Sequence, residues 1–245
     1  MPKITKAPRP PYPQHFDPAL AEKILNPVRD VHALSERMRV ISGQFLGCPY
    51  IVNPLIGSAH APEVFTVSLQ GFDCVTYIET VLALALADSV DQFVETIRRI
   101  RYKHGHVDWK SRNHYMTDWI RNNARAGFVR NMTQGSAAVR KTRTLSTIED
   151  LPHRIVTFPC FPKRLLPRIK QRVADGDLIF FASTRRRLDV FHAGLLFHDG
   201  DQITLRHASR SQGGVVEQPL KAFLKQNRMA GLIAVRPTGQ SPSRG

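Results

Sequence analysis

Asp189 to Ser209 reads DVFHAGLLFHDGDQITLRHAS, two runs of strand-forming residues separated by Asp199-Gly200-Asp201. Asp-Gly between such runs is a short-range hairpin signal. If Asp199 and Gly200 form the loop, His198 faces Asp201, Leu196 faces Ile203, Gly194 faces Leu205 and His192 faces His207. Directly opposed residues share one face of a sheet, with Cβ atoms roughly 5 Å apart. Two imidazoles then stand together among Val190, Leu196, Ile203 and Leu205. A loop of Gly200 and Asp201 instead pairs His192 with Ser209. Paired imidazoles have a chemical use, one ring acting as a general base while the other fixes its orientation.

Further strands are predicted at Arg154 to Phe158, Asp177 to Ser183 and Gly231 to Arg236, with a short helix near Leu220 to Gln226. Before residue 130 the pattern is helical. Asn26-Pro27 reads as an N-cap and first helical residue, opening a helix through Val31, Leu34, Met38 and Ile41 to Phe45. A second helix begins near Cys74 and is apolar nearly all round from Val81 to Ala87, which predicts burial. Ser89 to Gln92 is a capping-box pattern that opens a third helix to Tyr102. A fourth spans His114 to Ala126 and stops at Gly127. Residues 48–71 and 130–150 read as loops. Helices first and an antiparallel sheet second argue an α+β fold, N-terminal helices packed on a C-terminal antiparallel sheet. Residues 1–16 read as a flexible Pro-rich arm, 17–236 as one domain and 237–245 as a disordered tail.

The chain has 245 residues, 42% of them hydrophobic, enough for a packed core. Its longest purely apolar run, Val81 to Ala87, is far short of a membrane span. The N-terminus MPKITKAPRPPYPQHF is basic without an apolar stretch, so no signal peptide is visible and the compartment stays undetermined. The 35 Lys and Arg against 20 Asp and Glu give a net charge of +15. The basic clusters at Arg98 to Lys103, Lys163 to Arg172 and Arg185 to Arg187 are scattered and carry no nucleic-acid-binding motif. Nucleic acid therefore ranks last among partners, behind acidic cell-envelope polymers.

Three cysteines, Cys48, Cys74 and Cys160, make neither a disulfide framework nor a zinc pair. Cys74 sits where a loop enters a strongly apolar helix. There a thiolate gains from the helix dipole and free N–H groups, and the same groups suit a tetrahedral oxyanion. A buried inert thiol is the alternative for each cysteine. Zinc on Cys74, His192 and His207 lacks a fourth ligand at useful spacing, so no metal or cofactor is called for. His104-Gly105-His106 has metal-ligand spacing but reads first as a solvated turn.

Six motifs occur in order: GCPY at Gly47 to Tyr50, FDCVTYIET at Phe72 to Thr80, NHYMTDWI at Asn113 to Ile120, GDLIFF at Gly176 to Phe181, DVFHAGLLF at Asp189 to Phe197 and RHAS at Arg206 to Ser209. Together they resemble the NlpC-type, papain-like cell-wall hydrolases over about residues 40–236. Asp-Cys-Val-Thr replaces the usual Asp-Cys-Ser-Gly, and this is most similar to the branch of N-acetylmuramoyl-L-alanine amidases. The resemblance implies a papain-like catalytic domain acting on peptidoglycan or muropeptide fragments. It implies Cys74 as nucleophile, His192 as general base and His207 as the third, orienting residue. Tyr50 matches the tyrosine beside the oxyanion, which the Cys74 N–H also serves. Asn113, His114, Tyr115, Asp118 and Trp119 are candidates to line the substrate groove, with core packing the alternative for Tyr115 and Trp119. Two rival functions stay open: an endopeptidase cutting a D-glutamyl bond in the stem peptide, and a non-catalytic wall- or polyanion-binding module.

Overall fold

In the computed structural model, which describes residues 12–165 and 170–239, the 189–209 segment forms the expected hairpin, strands β7 (Val190–Asp199) and β8 (Gln202–Ser209). The other strands are β1 (Ile56–Ser58), β2 (Ala61–Val64), β3 (Val129–Asn131), β4 (Val139–Leu145), β5 (Arg154–Cys160), β6 (Asp177–Ala182), β9 (Gly214–Pro219) and β10 (Gly231–Pro237). The helices are α1 (Pro18–Leu25), α2 (Leu34–Gly43), α3 (Cys74–Ala85), α4 (Val90–Arg101), α5 (Met116–Arg125) and α6 (Leu220–Gln226). Six strands form one sheet in the order β3-β10-β6-β7-β8-β9, every neighbouring pair antiparallel. β1–β2 and β4–β5 are separate two-stranded ribbons.

The sheet is covered on both faces, so its central strand β6 is apolar on both. Leu178, Phe180 and Ala182 pack with α1 to α5, while Ile179 and Phe181 join a second cluster with Leu220, Phe223 and Leu224 of α6. α3 is the buried helix of the first layer, with ten of its twelve residues buried. Its one buried acid, Glu79, is matched by Arg101 at 2.7 Å and by the Trp119 indole N–H at 3.1 Å. Asp73 caps α3, accepting from the amides of Val75 and Thr76, and Thr76 Oγ1 accepts from the Asp73 amide in return.

Several expectations are corrected. Asn26-Pro27 closes a helix instead of opening one: Asp17 caps α1, Asn26–Val28 is a single 3-10 turn, and α2 starts at Leu34. The 48–71 stretch holds the β1–β2 ribbon. The 130–150 stretch holds β4, whose half-buried positions include Lys141 and Arg143, so its alternation is masked by charge. Of the N-terminal arm, residues 12–16 are docked, with Gln14 N–H donating to Phe65 O at 3.0 Å and the Phe16 ring 5.7 Å from Phe93; residues 1–11 lie outside the described residues. The expected tail begins as strand, since Pro237 ends β10 and the Thr238 amide donates to Phe128 O at 2.9 Å; residues 240–245 are not described. The hairpin turn is Gly200-Asp201, with Gly200 at φ +54 and Asp199 paired to Gln202. That shift moves the pairing by two residues, so His192 does not face His207. Because the side-chain period of a strand is two, the two imidazoles still share a face.

Among the described residues, no helix is long and apolar enough to cross a membrane.

Candidate active site

Gly194 is what lets the two imidazoles meet. It lies between them on the shared face, and a Cβ there would stand 2.7 Å from Leu205 Cδ1 and 3.0 Å from His207 Cβ. Across this gap His192 Nε2 lies 2.6 Å from His207 Nδ1, with the rings nearly perpendicular at 84°. A β-bulge sits one residue before the pair: His192 opposes Phe181 while Val190 opposes Ala182, leaving Phe191 extra. Bulges of this kind re-aim neighbouring side chains. On its other side His207 Nε2 is 2.7 Å from Gln218 Nε2 on β9. The rings of Phe181 and Phe223 stack on His192 at 6.0 and 5.4 Å. Burial pushes His192 down to about 3, with the neighbouring His207 adding to the effect, and burial pushes His207 down to about 4. Both rings are therefore neutral near pH 7. Gln218 was not found from the sequence, because β9 itself went unread and a lone Gln in a strand carries no signal.

Cys74 is the first residue of α3. The amides of Val75 and Thr76 are taken up by Asp73 Oδ1 at 3.0 and 2.7 Å, whereas the Cys74 amide has no oxygen acceptor among the described residues. The sulfur is supported by the N–H groups of Ala193, of Cys74 itself and of Val75. Burial outweighs them, and with the Asp73 charge it pushes the thiol up to about 12. The helix N-terminus expectation of a stabilised thiolate is thus corrected: the resting group is a thiol. Cys74 reaches β7 at Ala193, the residue after His192 in the chain. Successive residues of a strand face opposite ways, and Ala193 belongs to the α3 side while Phe181, opposite His192, belongs to the α6 side. No hydrogen bond joins Cys74 to His192, and His192 Nδ1 has no hydrogen-bond partner among the described residues.

Tyr50 is brought to the same corner. Its amide donates to Gly213 O at 2.8 Å and its backbone bridges Phe72. Burial raises its phenol, the neighbouring Cys74 and Asp73 raise it further, and Arg210 opposes them. Arg210 is a second residue missed from the sequence, since only the fold brings the loop after β8 beside Tyr50.

The NHYMTDWI motif divides. A cavity of about 460 Å³ opens beside Asp73, Val75 and Thr76, and Trp109, Arg112 and His114 line it. Asn113 also borders it, but its amide is spent inside, donating to Ile100 O at 3.0 Å and accepting from Asn122 at 2.8 Å. His114 is held neutral, pushed down by burial to about 4, with Nε2 2.7 Å from Trp109 O. Tyr115 and Trp119 are corrected as groove residues because they are buried. The Tyr115 hydroxyl accepts from the amides of Thr147 and Ile148, and the Trp119 indole is bound to Glu79. Asp118 is engaged by Arg121 and Arg154 at the edge of a neighbouring cavity. Among the described residues no three of His, Cys, Asp and Glu are grouped to hold a metal ion.

Comparison with known proteins fits this geometry. The family model described as AmiA-like, N-acetylmuramoyl-L-alanine amidase-like, matches residues 40–232. A crystal structure of a Legionella pneumophila protein, 22% identical, superposes with a TM-score of 0.80 over 92% of this chain and 95% of that one. A crystal structure of an N-acetylmuramoyl-L-alanine amidase from Bacteroides uniformis, 26% identical, gives a TM-score of 0.69 over 84% of this chain and 99% of the other. A putative xylanase from Bacteroides fragilis, 24% identical, gives 0.64 over 80% and 98%. The Legionella and B. fragilis likenesses speak to the fold alone. No curated protein matches the chain in sequence.

Proposed function

We propose a function from one premise: the chain belongs to the AmiA-like, N-acetylmuramoyl-L-alanine amidase-like family. The protein is an amidase-like peptidoglycan hydrolase with a cysteine nucleophile, and its scissile bond is the amide joining the muramic lactyl group to L-alanine. The papain-like, NlpC-type arrangement belongs to this reading, as does residues 17–236 acting as one catalytic domain. The observation that carries it is the relay of His192, His207 and Gln218, which ends one residue from the peptide N–H that supports the Cys74 sulfur.

Cys74 Sγ attacks the amide carbonyl carbon as its proton passes to His192 Nδ1, the ring nitrogen left without a partner. With the thiol near 12 and the imidazole near 3, this transfer accompanies attack and does not precede it. His192 rests on the α6 side of the sheet, so for that step its ring swings into the gap beyond Leu195 and Arg206, where β7 and β8 are no longer paired, to reach the sulfur at Ala193. The tetrahedral oxyanion is met by the Cys74 amide and the Tyr50 hydroxyl. The C–N bond then breaks, and His192 returns the proton to the departing alanine amine. Water attacks the thioester and gives its proton to the same ring. The muramyl carboxylate leaves, and the thiol is restored.

Product identity tests the assignment. Purified muropeptides digested by the wild-type protein should yield free stem peptide with an N-terminal alanine, read by mass. Fragments cut inside the peptide would replace this reading with the D-glutamyl endopeptidase. Intact muropeptides that bind without any cleavage would replace it with a binding module.

A further inference from the structure

We infer that the reaction groove ends in a built anion site, formed by Arg99, Lys103 and Arg125, which takes the terminal carboxylate of a stem peptide about four residues long. The inference rests on the hydrolase reading above and adds to it the length and charge of the substrate.

Three cavities follow one another along α5. The first, beside Asp73 and Val75, is also lined by Met116 at the start of the helix. The second, about 340 Å³, shares Arg112, Asn113 and His114 with the first and extends to Arg125 at the end of α5. The third, about 360 Å³, shares Lys103, Asn122 and Arg125 with the second and adds Arg99. Each cavity shares lining residues with the next, so the series runs from the residues flanking Cys74 to a cluster of cations.

Cations elsewhere on this face have partners. Arg112 is paired with Glu63, Lys110 with Asp150, and Arg121 and Arg154 with Asp118. The side chains of Arg99, Lys103 and Arg125 have no ion pair or hydrogen bond among the described residues, and the Arg99 guanidinium lies over the Phe128 ring at 5.4 Å. Three like charges around one cavity repel one another, and an anion there relieves the repulsion. Two of the three are arginines, whose forked N–H groups match a carboxylate. The wall beside them is held in an uncommon shape. His104 and Gly105 both take positive φ, +56 and +68, and Arg98 donates to Gly105 O. Strain of this kind persists where the surroundings hold it, often at ligand sites.

Distance sets the ligand's length. Met116 and Arg125 are nine residues apart on α5, about 14 Å at about 1.5 Å per residue. An extended peptide covers about 14 Å in four residues at about 3.4 Å each. A peptide that starts at the amide beside Cys74 and follows α5 therefore brings its fourth residue to the cations.

The test is hydrolysis of N-acetylmuramoyl peptides carrying one to five stem residues, with the tetrapeptide also made as its C-terminal amide. KM should fall about tenfold on reaching four residues with kcat little changed, the pattern of added binding that is equal in ground and transition states. The C-terminal amide should lose that gain, and added salt should erode it. Lys103→Gln with Arg125→Gln should abolish the step, while Arg130→Gln, exposed on β3 away from the groove, should keep it. Calorimetric binding of the free tetrapeptide acid and amide to the Cys74→Ala protein reads the same preference without turnover. Hydrolysis indifferent to length and terminal charge, or equal binding of acid and amide, would overturn the anion site while leaving the hydrolase intact. Preferential binding of the acid with no hydrolysis of any substrate would keep the site and overturn the hydrolase.

Discussion

His207 stands between two partners whose donors decide each other. With Gln218 Nε2 donating to His207 Nε2, His207 must give its Nδ1 proton to His192 Nε2, and His192 then carries its own proton on Nδ1. Turning the Gln218 amide over presents Oε1 instead and reverses both bonds, leaving His192 Nδ1 bare to receive the thiol proton. The amide of Gln218 is thus a positioning group for the base. Gln218→Glu fixes the acceptor orientation and stabilises the imidazolium, so the acid limb of the kcat/KM profile should move to higher pH. Gln218→Leu should lower kcat by about tenfold with KM kept, the scale of one lost orienting hydrogen bond to a charged ring. Histidine 15N spectra would report the tautomer in each variant, and unchanged profiles and spectra in both would remove Gln218 from the relay. At this scale the residue types that carry chemistry were visible beforehand. Cys74, His192, His207 and Tyr50 were singled out through motif order; the structure joins His192 to His207 and sets Tyr50 near Cys74, with no hydrogen bond between Cys74 and His192. Residues recruited from unread strands and loops, Gln218 and Arg210, were not.

At the scale of elements, α3 and the β7–β8 hairpin make the site. The hairpin was readable because both strands alternate and a Gly-Asp turn separates them. The turn slipped by one position, and strand parity preserved the shared face. What the register changed is the role of Gly194, which now separates the two rings. Gly194→Ala places a methyl group against Leu205 and His207. It should cost about 1–3 kcal/mol in urea unfolding, as overpacking does, and should lower activity by more than the stability loss explains. Wild-type stability and activity in that variant would refute the account of the gap. α3 depends on the Glu79–Arg101 pair at 2.7 Å, both side chains 2% exposed. Glu79→Gln leaves a buried guanidinium without its counter-charge and should cost about 3 kcal/mol by the same assay. β4 and β9 escaped reading for physical reasons: β4 turns Lys and Arg inward, and β9 is a short edge strand ending at Pro219. α1 was missed although its Asp17-Pro18 start is a cap signal, because the Pro-rich segment before it read as one arm.

The whole molecule holds three neutral imidazoles in partly or wholly desolvated places, His114, His192 and His207, each pushed well below the ordinary histidine value of 6.5. A histidine whose folded value is depressed binds fewer protons folded than unfolded, so it favours the unfolded chain as acid is added. Stability is therefore complete above about pH 6.5 and falls as pH drops towards 4 and 3. Thermal melting across that range should show the decline, and His114→Gln should flatten part of it without touching the relay. A melting temperature that is level from pH 7 to 4 would contradict the burial of these rings. The same molecule places its cations unevenly, and a net charge of +15 gives it long-range attraction for acidic polymers. Fold class and helix-then-sheet order came through in the sequence, because they rest on periodicity. The path along α5 did not, because a groove is a property of elements already packed. The central claim is that one thiol does the chemistry. It is tested by incubating a purified muramyl tetrapeptide with wild-type protein and with Cys74→Ala under identical conditions and weighing the products. The account predicts free tetrapeptide from the wild type and none from a folded Cys74→Ala protein; release of the same peptide by that variant would contradict it.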